Sequence, residues 1–196
     1  MPELVESLPR RMGPVGSANW TAMLNAAEAI LREEGYGALT SRRVAERIGA
    51  KQRLVYYYFP TMDNLIIETF RQLSVRELKL MSQALENERP LREVWNICIH
   101  AGDAPLISEF MALAHRIEGL QDEVTSFIEK SRKMQIAALT KALGRPKRTD
   151  QLQPAVIAMI ATSLALSLTR EAELGVTLGH RQTQAAIEQF FKAFEP

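Results

Sequence analysis

From Ser17 onward, apolar side chains return at steps of three and four residues, and little except glycine and proline interrupts them. That period is one face of a helix, and it conflicts with the alternation by two that a half-buried strand needs. Trp20, Met23, Leu24, Ala27, Ile30 and Leu31 form the first stripe, which Gly35 and Gly37 end. Val44, Ala45 and Ile48 form a short second one behind the capping candidates Thr40 and Ser41, and Gly49 breaks it. A third short helix is predicted over about 51–57. Pro60 stops it, and Thr61 or Asp63 can open a long fourth helix reaching Leu85. Further helices are expected at about 91–101, 105–116, 121–143, 153–174 and 181–194, between Pro90, Pro105, Gly119, Gly144, Pro146, Gly175 and Gly179. No strand alternation, nucleotide-binding glycine loop or fixed-period repeat is visible. The expected fold is all-α, with about nine helices in all.

At 196 residues and 46% hydrophobic content the chain can bury a real core, as one medium domain or two small ones. Residues 1–17 carry Pro2, Pro9, Gly13, Pro14 and Gly16 without any helical period, and are read as a flexible arm. Arg10 and Arg11 in that arm could reach a minor groove, although the plainer reading is a disordered tail. Behind the arm, residues 18–62 and 63–196 are expected to form two functional parts. Cys98 is the single cysteine, so an intramolecular disulfide is impossible, in keeping with a reducing compartment. The N-terminus lacks the apolar centre of a signal peptide. The longest apolar run, residues 155–168, is interrupted by Thr162, Ser163 and Ser167 and falls short of the ~20 residues that span a bilayer. A cytoplasmic protein without a membrane segment is expected.

The net charge is only +1, but it is unevenly spread. Between Thr40 and Pro60 stand Arg42, Arg43, Arg47, Lys51 and Arg53 against one acid, Glu46. Two short helices meeting at Gly49 and Ala50 within such a patch have the layout of a helix-turn-helix, whose second helix enters the major groove. Phosphates favour the patch through counterion release. Lys51, Gln52 and Arg53 open the third helix; arginine can bond bidentately to guanine and glutamine to adenine. Tyr56 and Tyr57 carry hydroxyls for phosphate oxygens, and Ser41 can present its hydroxyl and nearby N–H groups to a phosphate.

These residues resemble the tetracycline-repressor (TetR) family. The likeness rests on Ala26–Ala27 and Gly35–Tyr36, on Thr40–Ser41–Arg42, on Val44–Ala45 with Ile48–Gly49, and on Tyr56 with Phe59 and Leu65. It covers roughly residues 20–65; beyond them only the helical layout is similar. The resemblance implies base contacts at Arg42, Gln52, Arg53 and Tyr56, and phosphate contacts near Ser41, Tyr57 and Tyr58. Many members have a lysine where this chain has Met62, so that backbone contact is missing here. The resemblance also implies an all-helical C-terminal part that binds a small molecule and dimerises.

The last two helices support that expectation, because both are richer in apolar surface than one core-facing stripe needs. Ile157, Ile160, Leu164 and Leu168 on one and Ile187, Phe190, Phe191 and Phe194 on the other are the candidate dimer seam, a four-helix bundle about a two-fold axis. Trp95, Ile99, Phe110, Met111, Phe127, Met134 and Met159 are candidate cavity residues, with His100, His115 and Glu109 as possible polar groups among them. The expected function is a transcriptional regulator, a repressor by the resemblance, that binds a palindromic double-stranded DNA operator as a homodimer. A small, mainly apolar or aromatic effector would release it. No cofactor or metal is expected. His100, His115 and His180 have no metal spacing, and Cys98 and Ser163 lack a partner base, so nothing points to an enzyme. The alternative is a helical protein-interaction adaptor that never touches DNA.

Overall fold

The computed structural model describes residues 14–100, 104–143 and 152–195; the expected arm, with Arg10 and Arg11, lies almost wholly outside them. Within the described residues there are nine α-helices and one 3-10 turn. They are α1 (Ala18–Glu34), the turn (Tyr36–Ala38), α2 (Ser41–Arg47), α3 (Gln52–Tyr58), α4 (Met62–Leu85), α5 (Pro90–His100), α6 (Ala104–Leu113), α7 (Leu120–Leu143), α8 (Pro154–Glu173) and α9 (His180–Phe194). The all-α expectation holds.

Local chemistry explains the boundaries. Ser17 Oγ accepts from Trp20 N to start α1, and Gly35, at φ 78°, ends it in the left-handed region that favours glycine. Thr40 accepts from Arg43 N to start α2, and Thr61 and Asn64 form a reciprocal capping box at the start of α4. The helix expected over 105–116 ends three residues sooner, at Leu113. There Arg116 N and Ile117 N both turn back to Leu113 O and tighten the chain into a turn. At the other end of the molecule Glu195 caps α5, its carboxylate accepting from Leu91 N at 2.7 Å and Arg92 N at 3.0 Å. Arg92 then pairs with Glu188 and lies 5.0 Å over the Phe191 ring, which docks α9 on α5.

α4 is the shared beam, packing against α1, α5 and α7. The core of residues 18–62 does not stop at their boundary. Trp20, Ile30, Val44, Val55 and Phe59 belong to one buried group with Leu65, Phe70, Phe110, Leu120 and Val124. A second group gathers Leu91, Ala138, Leu139, Ala158 and Phe191 around α5, α7, α8 and α9. α8 runs on past the apolar stretch seen in the sequence: its 20 residues are long and apolar enough, by length and composition, to cross a membrane, and 17% of that window is buried. In this fold it packs on α5, α6 and α7.

Candidate nucleic-acid interface and effector cavities

α2 and α3 are joined through Ile48, Gly49, Ala50 and Lys51. Gly49 takes φ 66°, and Ala50 N bonds back to Ala45 O at 2.9 Å, so the chain reverses tightly enough for α3 to cross α2. Val44, Ala45 and Val55 fill the angle between the two helices. That leaves Lys51, Gln52 and Arg53 exposed together at the opening of α3.

Pairing redraws the basic patch. Arg43 forms a forked pair with Glu34, reaching it through Nε and Nη2, and Glu34's hydrogen bond and charge hold the guanidinium's pKa above its usual value. Arg47 bonds to Glu33 at 2.6 Å and to Glu34 at 3.4 Å. Arg42 is the most exposed of the three and, among the described residues, pairs only with its helix neighbour Glu46, at 2.9 Å. Counting Glu33 and Glu34 beside Glu46, five bases face three acids, so the local surplus falls from four to two. Lys51 and Arg53 have no ion-pair partner among the described residues. Two acids at the C-terminal end of α1 oppose the helix dipole, and that is the sequence signal that cations must come to them.

A small hydrogen-bond chain links α2 to α3. Gln52 Nε2 donates to Ser41 Oγ at 2.8 Å, and Ser41 Oγ donates to Tyr56 Oη at 3.0 Å. Ser41 is buried and Tyr56 is 39% exposed, so the phenol's own proton remains to donate outward. Gln52 keeps its carbonyl oxygen and one N–H, the pair that adenine requires. Tyr57 is 53% exposed. Tyr58 corrects the expectation of a phosphate contact. It is buried, Trp20 meets its ring edge-on at 6.4 Å, and its hydroxyl accepts from Ser17 Oγ. Three successive helical tyrosines point about 100° apart, and the one beside Trp20 and Phe59 must turn inward.

Farther along the chain, the described residues border two cavities of note. The larger, of about 440 Å3, is lined by residues of α5, α7, α8 and α9, Trp95 among them. The smaller, of about 260 Å3, includes Met111 and Phe127 with Glu77, Ser131 and Arg132. Cys98, Gln135 and Thr162 line both. The other expected cavity residues fall elsewhere. Phe110 is fully buried 5.1 Å from Phe70, because α6 packs its ring into the reader-side core. Met134 packs against the group of Met81, Ala84 and Val94, and Ile99 borders neither of the two cavities. His115 is exposed in the turn after α6, and Met159 is 61% exposed on the outer side of α8. The side chain of His100 lies outside the described residues. Glu109 accepts from Tyr36 N at 2.8 Å, which ties α6 to the reader instead of to a cavity.

The candidate seam divides in the same way. Ile160, which also borders the larger cavity, and Phe194 are exposed at 52% and 45%. Ile157, Leu164, Ile187 and Phe190 are half-buried along the larger cavity, whereas Leu168 and Phe191 are buried within the chain. Gln135, Thr162, Glu77 and Arg132 were not singled out by sequence reasoning, since nothing in a helix stripe marks a polar residue that faces a void. Exposed Leu174, Val176 and Leu178, in the link from α8 to α9, were likewise missed.

Residues 23–69 match the family model of the bacterial regulatory proteins of the tetR family. Over that stretch, which holds α2 and α3, the chain is similar to the tetR-family regulatory proteins. The fold is similar to that of a TetR transcription regulator from Haloarcula marismortui, at TM-score 0.72 and 19% identity over 91% of this chain and 98% of that one. It is similar to a putative transcriptional regulator from Saccharomonospora viridis solved in complex with choline, at TM-score 0.71 and 13% identity over 79% and 85%. A third likeness is to the fatty acid degradation regulator FadR from Bacillus halodurans, at TM-score 0.63 and 13% identity over 81% and 86%. No curated protein matches the sequence at a significant level.

Proposed function

We propose that this chain is a repressor that binds a palindromic operator as a homodimer and lets it go when a small, mainly apolar molecule enters the helical domain. The observation that carries this reading is the cluster of Lys51, Gln52 and Arg53, exposed and without ion pairs at the opening of α3, beside the outward hydroxyls of Tyr56 and Tyr57. Residues 18–62 act as the reader. Arg53 and Gln52 contact base edges, Arg42 and Lys51 contact phosphate or base, and Tyr56 and Tyr57 donate to phosphate. Ser41 acts through Tyr56 and Gln52 instead of touching DNA freely. Residues 63–196 hold the effector and the partner copy. The exposed apolar face of α8, with Val156, Met159 and Ile160, suits a second copy in a cytoplasmic protein.

Two readers related by a two-fold axis meet half-sites one helical turn apart, ~34–36 Å, so their separation controls affinity. α4 starts beside the reader and ends beside the cavities, and Glu109 holds Tyr36 from α6. A molecule that favours the conformer with widely spaced readers shifts the population away from DNA by its differential affinity.

A mobility-shift assay on DNA flanking the chain's own coding sequence tests the reading. Binding is expected to weaken steeply with salt, and Arg42→Glu with Arg53→Glu is expected to lower affinity by at least about a hundred-fold without altering the thermal melt. Unchanged binding by the double variant refutes the assignment of the reader face.

A further inference from the structure

The wall between the two cavities bears on what the larger one can hold. Carbon dominates its lining, through Leu91, Trp95, Leu139, Ile187 and Phe190. Among the described residues its polar groups come from Cys98, Gln135, Thr162, Thr183 and the Trp95 indole, with no carboxylate, amine or guanidinium. Glu77 and Arg132 line only the smaller cavity, on the other side of Gln135.

Gln135 is 6% exposed and only half satisfied. Its Oε1 stands 3.0 Å from Thr162 Oγ1, whose single proton also reaches Ala158 O at 2.8 Å, while its Nε2 has Cys98 Sγ, at 3.9 Å, as its partner. An amide nitrogen carries two donors and a thiol sulfur is a weak acceptor, so one strong N–H at this wall has no oxygen to meet. A buried donor in that condition is costly, and a ligand oxygen there removes the cost. Burial and the nearby Glu77 charge keep the Cys98 thiol protonated, so it adds no negative charge.

Given the reading above that this domain holds an effector, we infer that the larger cavity takes an uncharged, mainly hydrocarbon molecule bearing one carbonyl-type oxygen, which accepts a hydrogen bond from Gln135 Nε2. An ionised head at the same place would lose water with no counter-charge from the described residues on its side of the wall. Specificity for the neutral oxygen then arises from the unmade bond of Gln135 as much as from shape.

Isothermal titration calorimetry of the full chain with 2-undecanone, undecanoate and undecyltrimethylammonium, each below its micellar concentration, tests this. The ketone is expected to bind tightest, with both charged probes weaker by on the order of a hundred-fold. Gln135→Leu is expected to weaken the ketone about ten-fold and to leave n-butylbenzene, which has no oxygen, unchanged. The head-group series on the unaltered protein decides the matter even if the variant folds poorly. A charged probe that binds as tightly as the ketone overturns the inference. So does full ketone affinity in Gln135→Leu, or failure of all three probes to bind, as when a second copy fills the cavity. Ketone binding that leaves a protein–operator complex intact would defeat ligand release and leave this inference standing. Release by a charged molecule would do the reverse.

Discussion

Phe70 and Phe191 are both buried rings in one helical chain, but they lie in different kinds of interior. Phe70 sits 5.1 Å from Phe110 and 5.8 Å from Phe127, inside the group that runs from Trp20 through α4 to Val124. Met23, Ile30, Val44, Leu65 and Leu73 in that half are wholly shielded from solvent. Phe191 is equally shielded, yet its neighbours Trp95, Ile157, Ile187 and Phe190 are half-buried and border a void of about 440 Å3. The lesson concerns division of labour. Under the proposed function, Lys51, Gln52 and Arg53 are held in one geometry for a rigid duplex, and close packing does that. A sensor must have room and rotamer freedom, and it finds them where packing is incomplete.

The contrast can be broken most forcefully at the exposed face of the far half. Ile160→Glu places a charge in the middle of the apolar face of α8, and is expected to weaken dimerisation by at least about a hundred-fold in analytical ultracentrifugation. The thermal melt of the dissociated chain should stay helical and cooperative; a dimer that survives would put the partner elsewhere. Next comes a paired test of the two interiors by urea unfolding. Phe110→Ala should cost about 3–5 kcal/mol, because it opens a new hole in a filled core. Leu164→Ala, which only widens an existing cavity, should cost about 1–2 kcal/mol. Equal costs would remove the distinction drawn here.

A smaller effect comes from Cys98, between the two cavities. Its thiol is pushed from 9.0 up to about 11, by burial first and by the charge of Glu77 second. The unfolded chain therefore releases this proton before the folded one does. The stabilisation is complete below about 9 and is lost as pH rises towards 11, at about 1.4 kcal/mol per unit. The difference between the native chain and Cys98→Ala in unfolding free energy should shrink over that window; a flat difference would mean that water reaches the thiol. The smallest effect is expected at the reader's own edge. Arg47→Ala breaks the pair with Glu33, whose side chains are 30% and 55% exposed, and should cost only about 0.5 kcal/mol. A loss of several kcal/mol would show that this edge is held by charge and not by its apolar core.

Much of the site was legible because its determinants are local. The stripe of Trp20, Met23, Ala27 and Ile30 announced α1, Gly49 announced the turn, and Lys51, Gln52 and Arg53 announced the opening of α3. The fates of Arg43 and Arg47 were not legible, since their partners Glu33 and Glu34 belong to another helix nine to fourteen positions away. The candidate cavity list suffered most. Phe110 and Met159 share the composition of a pocket wall, but one faces a filled core and the other faces outward. Periodicity places a residue on a stripe and says nothing of whether the opposing surface is filled.

Taken alone, the sequence determined the all-helical class, the ends of most helices and the identity of the side chains that open α3. Caps, glycines and prolines act within about one turn of their own position, so they need no distant partner. Only the tertiary structure decided that Tyr58 turns in while Tyr56 and Tyr57 turn out, that Arg43 and Arg47 belong to α1, and that Gln135 stands half-satisfied between two cavities. Those outcomes depend on which surfaces the folded chain brings opposite one another, and side-chain spacing along a single helix carries no record of that.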